Sequence, residues 1–466
     1  MADHRFRLTQ GTTVVNLTGG PRYVLSFDLG SAPVTAEEVA EYLADGGDIE
    51  AATYANVDMS LDLFVTGANG AEVQANLNAV EQMLTAARDW QSDQAGAPVY
   101  FEVQLDGTGD NYRSEVLYGA AQLPEGALYI PWLAKKVTVP LAIRRRFYWE
   151  KDTPVELTLT NRHGSGIGGV TVYNHDDAAH DNHVAIVGAT VLGVLPAPLK
   201  IEFYNMYAAA ATTYRVWAGQ FTSFGGTAIN PTLEGEAGGG ASVGDGTCSG
   251  GAYGNYTVNT WYALAGRWPI GAALMPTDRT RFVMVLARFF GDPTGINLAA
   301  LLTFPAGGAA VSEIMRTDSI ICDSNRLQML GPLQLPPWLT RLGSGVTLAS
   351  LNLDLWARHD AGATMALDFL GLLPLDGWRF YTPSSRGLLQ TDVLLDDAPI
   401  SRQVRVQHVA GFTGYSGLYV PQGPGLYAWP GRDITLYFMV NTDTGVAEIE
   451  RSSAIRAYYY PRRLTL

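Results

Sequence analysis

The sequence predicts a mainly β protein: an N-terminal antiparallel sheet or sandwich with one packed α-helix, followed by a C-terminal β-sandwich or jelly roll. Three observations predict it. Only one long stretch, Ala71 to Trp90, carries a sustained helical period. From Tyr204 onward, short apolar runs alternate with Gly, Pro, Asn and Asp turns, the spacing of a sandwich or jelly roll. Charged residues are only 16% of the 466, against roughly 25% in an average soluble chain, while Gly numbers 51 and aromatics make up 11%.

The N-terminal elements follow from pattern. Thr13–Leu17 and Tyr23–Leu29 alternate and are split by Gly19-Gly20-Pro21, which reads as a hairpin. Thr35-Ala36-Glu37-Glu38 fits a capping box, so a short helix over Ala36–Ala44 is expected, stopping at Gly46-Gly47. Val57, Met59, Leu61, Leu63 and Val65 alternate along one strand. Val73, Leu77, Val80, Leu84 and Ala87 recur at steps of four and three, so they share a helix face that Trp90 closes. Strands follow at Val99–Leu105, Ser114–Tyr118 and Val137–Ile143. The last ends in Arg144, Arg145, Arg146, Phe147, Tyr148 and Trp149.

The organisation reads as three parts: residues 1–152, a connector over 153–195, and a β-rich part over 196–466 whose jelly-roll-like core spans about 230–385. The polar run Asn174 to His183 marks the connector, and Pro196-Ala197-Pro198 opens the next strand. Residues 386–466 continue in the same style and end in Tyr458-Tyr459-Tyr460-Pro461-Arg462-Arg463.

Composition excludes several function classes. A net charge of −14 argues against general nucleic-acid binding. No apolar run reaches about 18 residues free of Gly, Pro or charge, so no membrane span is expected. Met1–Leu8 has no apolar core, so no signal peptide is expected. Cys248 and Cys322 read as free thiols rather than a disulfide framework.

Catalytic patterns fail their context, and no enzyme activity and no cofactor are expected. Gly240-Ala241-Ser242-Val243-Gly244 matches G-x-S-x-G, but no strand precedes it and no helix follows it, so no nucleophile elbow forms. The Gly-rich run has no Lys in phosphate-loop position. No metal site is expected; the residues nearest to one are His175, His180 and His183, together with Glu234 and Glu236.

The order of strand, single helix and three strands, closing on the basic-aromatic exit at Arg144–Trp149, resembles the ring-forming domain of tail proteins from long-tailed bacteriophages, especially the distal tail protein. "NHDD…HDNHV" with "LPAPLKIEFYN" resembles the connector of those proteins. Leu233-Glu234-Gly235-Glu236-Ala237 with Cys248 to Tyr253 resembles the first strand pair of some carbohydrate-binding jelly rolls, in which an acidic residue near the start can bind calcium and a loop aromatic stacks on sugar.

The resemblance implies a virion structural protein, made in the host cytoplasm. Residues 1–152 would form a ring, sixfold by the resemblance, around the DNA channel at the tail tip or baseplate. Val57, Leu61, Leu63, Val73, Leu77, Val80, Leu84 and Trp90 would build its core. Arg144, Arg145 and Arg146 would meet acids such as Glu37, Glu38 or Asp45 of a neighbour at a subunit seam. Partners would be further copies, the tube, tip or hub and tape-measure proteins, and phage DNA passing without sequence-specific contact. A host-surface glycan would meet Trp261, Trp268 or Trp338. Two other readings stay open. One is a tail tube protein with a decoration domain, with Gly119–Trp132 as its long loop. The other is a free carbohydrate-binding or polysaccharide-degrading β-protein.

Overall fold

The structure, a computed structural model, describes residues 5–40, 47–93, 96–104, 109–122, 135–166, 168–174, 180–206, 213–223, 232–270, 282–305, 311–334, 351–374, 377–383, 387–397, 404–407, 415–442 and 452–466. The chain is mainly β, as its sequence predicts, with one long helix among the described residues. It divides into two compact units.

The first unit is Met1–Val155 with Leu192–Ala197 and Tyr460–Leu466. Its strands are β1 (Arg5–Gln10), β2 (Thr13–Asn16), β3 (Arg22–Asp28), β4 (Val34–Ala40), β5 (Gly47–Tyr54), β6 (Val57–Thr66), β7 (Val99–Gln104), β8 (Asn111–Ala121), β9 (Lys136–Arg145) and β10 (Trp149–Lys151). The main sheet runs β2-β1-β7-β8-β9-β6-β3, and β10 joins it through β8 and the terminal strand Arg462–Arg463. The alternation of β6 holds: Val57, Met59, Leu61, Leu63 and Val65 are all buried.

The helix α1 (Gly70–Asp93) lies on this sheet. Its start is fixed by Asn69 and Glu72. The Asn69 side chain accepts from the Glu72 amide at 2.9 Å, and the Glu72 carboxylate accepts from the Ala68 amide at 2.7 Å. Val73, Leu77, Val80, Leu84, Ala87 and Trp90 form the buried stripe. Gly119 of β8 lets the helix approach closely, since a Cβ there would lie 2.9 Å from a Leu84 methyl.

One expectation fails here. Residues 36–44 were expected as a helix, but Val34–Ala40 is strand β4, paired antiparallel with β5 from Val34↔Tyr54 to Ala40↔Gly47. A capping box is a local signal, worth little against cross-strand pairing of the β-branched residues Val34, Thr35 and Val39 with Tyr54, Thr53 and the Asp48–Ile49 region. This hairpin is a two-stranded sheet of its own.

The second unit is Glu156–Val191 with Pro198–Tyr459. The expected boundaries shift accordingly. Most of the 153–195 connector supplies strands Gly169–Val172 and His183–Ile186 to the large sheet of this unit, and the chain end leaves it for the first unit. Polar, Gly-rich composition marks loops; strand pairing decides membership.

Within that large sheet, Thr213–Ser223 and Gly377–Pro383 are antiparallel neighbours, with Val216 opposite Tyr381. Between them the chain inserts residues 232–374, which build two further sheets. One holds Ala241–Gly244, Ala252–Val258, Ala363–Pro374, Phe282–Phe289 and Leu327–Gln334, with Thr232–Glu234 on its Ala363–Pro374 strand. The other holds Ala263–Pro269, Asn352–Arg358, Asn297–Pro305 and Val311–Arg316, with Ile320–Ile321 at its side. Tyr256, Trp268, Val285, Phe289, Leu298, Leu302, Leu355 and Leu367 join the two sheets in one apolar core. The ends of the insert meet on adjacent strands, so it is accommodated without opening the host sheet.

Candidate functional site

The sandwich of residues 232–374 carries the most chemically unusual groups. Glu234 ends a short strand and sits opposite Phe369. Its carbonyl accepts from the Trp268 indole at 2.8 Å, and the Tyr256 hydroxyl donates to the Gly235 carbonyl. These two bonds fix the turn Gly235–Gly238, which brings Glu234 and Glu236 toward Gly250. A Cβ on Gly250 would lie 3.2 Å from a Glu234 carboxylate oxygen and 3.4 Å from one of Glu236. Gly250 also has φ +63, so both space and backbone favour glycine.

The electrostatics follow from that crowding. Ser249 donates its hydroxyl to Glu234 at 3.0 Å and its amide to Asp368 at 2.8 Å. The second oxygens of Glu234 and Glu236 are buried without a hydrogen-bond donor. Burial pushes the Glu234 carboxyl up to about 7; the charges of Glu236 and Asp368 add to this, and the Ser249 bond opposes it. Asp368 is turned to the buried Arg288, at 3.5 Å. Among the described residues, no three His, Cys, Asp or Glu side chains converge as metal ligands. The arrangement is suited to holding a proton on Glu234 near neutral pH.

At one end of the same sandwich, Trp261 is 64% exposed. Beside it, Tyr262 donates its hydroxyl to Asn297, and Asn297 pairs across the sheet with Ile321, itself an exposed apolar residue. The His359 amide is bonded to the Asn259 carbonyl at 2.9 Å, which ties the Trp261 turn to the Arg358–Asp360 turn. An exposed aromatic face suits stacking on a ring with CH groups.

No family model matches the chain, and no curated protein matches it. Similar solved structures exist. The SPP1 Dit protein, described as a paradigm of the hub adsorption apparatus in phages infecting Gram-positive bacteria, aligns over 98% of each chain at 8% identity and TM-score 0.32. A chain of the phage p2 baseplate in its activated conformation with Sr aligns over 46% of this chain and 71% of its own, at 11% identity and TM-score 0.29. A chain of the same baseplate activated with Ca aligns over 77% and 99%, at 9% identity and TM-score 0.29.

The basic-aromatic exit of the first unit is an internal clasp. Arg144 pairs with Asp58 through two bonds of 2.9 and 3.1 Å. Arg146 pairs at 2.9 Å with Glu115, which also accepts from Trp90 and Gln91. Arg145 corrects the seam expectation. It is fully buried, stacked 4.2 Å over the Trp149 ring, and donates to the carbonyls of Leu29 and Arg146. Burial lowers its guanidinium to about 10. Alternation in β9 turns Arg145 inward, so it cannot meet a neighbour. Sequence reasoning missed the partner of this exit. Trp149 pairs with Arg463 and Glu150 with Arg462, whose guanidinium lies 3.7 Å over the Tyr148 ring. The matching basic-aromatic character of residues 144–149 and 458–463 was the available signal.

The remaining candidates fall as follows. Leu61, Leu63, Val73, Leu77, Val80 and Leu84 are buried in one core, and Val57 and Trp90 are buried as well. Glu37 and Glu38 lie on β4 rather than a helix. Trp268 is buried with its indole bonded to Glu234, which removes it as a glycan contact. Trp338, Asp45 and His175 lie outside the described residues. The His180 and His183 rings rest against Tyr173 and Tyr437, and Asn174 and Asn182 clamp strand backbone at Val440 and Phe438. These contacts give the described residues of the polar run a structural role. Ser242 sits in a hairpin opposite Gly254, with no helix after it. Cys248 and Cys322 are buried free thiols, both pushed up to about 12 by burial.

Proposed function

We propose that this chain is a structural protein of a bacteriophage tail. Its first unit assembles into a ring around the DNA channel at the tail tip or baseplate, and its second unit contacts partner proteins or the host surface. The observation that carries the reading is the edge of the first sheet. Among the described residues β3 is a terminal strand with Tyr23, Leu25 and Phe27 exposed, and Val34 and Tyr54 are exposed as well. A lone chain leaves this edge open to water and to unwanted pairing, whereas a neighbouring copy covers it. Head-to-tail contacts of one kind close into a ring. The net charge of −14 suits a channel that passes DNA without binding it.

The test is mass measurement of the purified chain with negative-stain imaging. Closed rings, sixfold in projection, are expected. Monomer at every concentration refutes the ring.

Contact with a host-surface glycan is favoured by the exposed Trp261 beside Tyr262 and Asn297. Trp261→Ala should abolish retardation by host polysaccharide in affinity electrophoresis without changing the melting curve. Unchanged retardation assigns the contact elsewhere. No hydrolysis is proposed: release of reducing ends from that polysaccharide, lost on mutating carboxylates of the second unit, overturns the non-enzymatic reading.

A further inference from the structure

Residues 460–466 belong to the first unit, although the second unit separates them in the chain from most of it. They lie in a slot with two walls. One wall is β10, where Trp149 pairs with Arg463, Glu150 with Arg462, and the Lys151 amide donates to the Pro461 carbonyl at 3.0 Å. The other is the returning segment Leu192–Ala197, where the Val194 and Leu195 amides both donate to the Arg462 carbonyl, at 2.8 and 3.3 Å. Gly193 shapes this second wall. Its φ is +103, and a Cβ there would lie 2.7 Å from the Arg462 carbonyl oxygen.

Side chains lock the segment in the slot. Glu150 is buried and faces two cations, Arg113 of β8 at 3.1 Å and Arg462 at 3.5 Å. Arg462 also donates to the Tyr148 hydroxyl at 2.8 Å. The Arg463 guanidinium lies 4.2 Å over the Tyr112 ring, and that of Arg113 lies 4.6 Å over the Tyr460 ring. The apolar core is built without the segment. Its buried members run from Phe6 to Trp149, and among the described residues the segment adds only the partly buried Leu466.

We infer that residues 460–466 are a strap that docks last. It closes an edge of the first sheet only after the second unit has been synthesised, and it opens and closes as one piece while the core of the first unit stays folded. The core needs only residues that leave the ribosome early. Strands adjacent in sequence pair in about 1–10 μs, whereas the strap follows β10 by on the order of tens of seconds at ordinary synthesis rates. Over that interval β10 is an open strand edge, exposed to unwanted pairing, and Glu150 faces one cation instead of two. A chain cut short before residue 460 keeps that open edge, which sets it apart from a chain that reaches residue 466. The inference does not rest on the ring reading; it holds for a monomer and a ring alike.

Hydrogen exchange on the full chain tests the strap. The Lys151, Val194 and Leu195 amides report its docking directly, and the β6–β9 amides report the core. In the parent the three reporters should exchange together and faster than the β6–β9 amides. Gly193→Ala strains one wall of the slot, and Glu150→Gln removes the charge from the other. Each should speed the reporters by about tenfold, the size of one lost charge-assisted bond, and leave the β6–β9 amides unchanged. Reporters that exchange as slowly as the core, in parent and variants alike, show that the segment opens only by global unfolding and overturn the strap.

Limited trypsin digestion of chains held on the ribosome tests the order. One chain is stopped with residue 459 clear of the exit tunnel and the other with residue 466 clear. Trypsin should cut after Lys151 in the first and not in the second, while Arg88 in α1 stays uncut in both. Equal cutting after Lys151 overturns the closing step. Cutting at Arg88 in the first chain alone shows that the core itself waits for residues 460–466, and overturns the separation of core from strap.

Discussion

Replacing Glu234 by Gln should remove a pH-dependent loss of stability. In the folded chain the Glu234 carboxyl rises from its ordinary 4.5 to about 7, first because it is buried and then because Glu236 and Asp368 stand nearby. The folded state therefore holds this proton more tightly than the unfolded chain. By linkage, the stabilisation is fully present below pH 4.5 and is lost as pH rises through about 7. At full burial such a rise corresponds to about 3 kcal/mol. The carboxyl is partly open to solvent, which brings the expected loss to about 1–2 kcal/mol. Gln keeps an oxygen to accept the Ser249 hydroxyl and carries no charge. The variant should match the parent near pH 4.5 and exceed it by about 1–2 kcal/mol at pH 8. Urea unfolding at both pH values, read by tryptophan fluorescence, measures this, because the Trp268 indole is bonded to the Glu234 carbonyl. Identical pH dependence in parent and variant refutes the burial argument. Stabilisation of the parent alone by millimolar calcium at pH 8 also refutes it, by showing that the two carboxylates hold a cation rather than a proton.

Leu84→Ala should destabilise the first unit by about 2–5 kcal/mol, read as a lower urea midpoint; no change means that the helix is not docked. Gly119→Ala should cost about 1–3 kcal/mol, because its methyl would strike Leu84. The double variant should cost less than the sum, since shortening Leu84 makes room; strict additivity in a double-mutant cycle rejects the contact. Asn69→Ala should cost about 0.5–2 kcal/mol by removing the helix cap, with reduced protection of the Glu72 amide in hydrogen exchange. Ser242→Ala should leave melting and polysaccharide retention unchanged, as expected of a hairpin residue with no catalytic partner.

The core of the first unit was legible because its signals are periodic and local. The step-two burial of Val57 to Val65 and the four-and-three stripe of Val73 to Ala87 need only chain geometry to be read. The sandwich was legible in the same way, from turn spacing after Tyr204.

What failed was decided by distant partners. The capping box at Thr35–Glu38 is a genuine local pattern, yet β5 supplies cross-strand pairs that override it. The three arginines at 144–146 read as one basic run. Alternation and the fold of β9 make the middle one a buried cation over Trp149 and pair the outer two with Asp58 and Glu115. Trp261 and Trp268 are seven residues apart and equivalent by composition, but one faces solvent and the other anchors the Glu234 turn.

By itself, then, the sequence determined the class, the helix and the strand faces, because backbone periodicity writes these into nearest neighbours. Only the tertiary structure decided that residues 149–150 meet residues 462–463, that Glu234 holds its proton toward neutral pH, and that Val34–Ala40 pairs with Gly47–Tyr54 as a two-stranded sheet of its own. Each of these depends on desolvation or pairing by groups far away in the chain, and the energy of a buried charge or an open strand edge is set by what surrounds it in space.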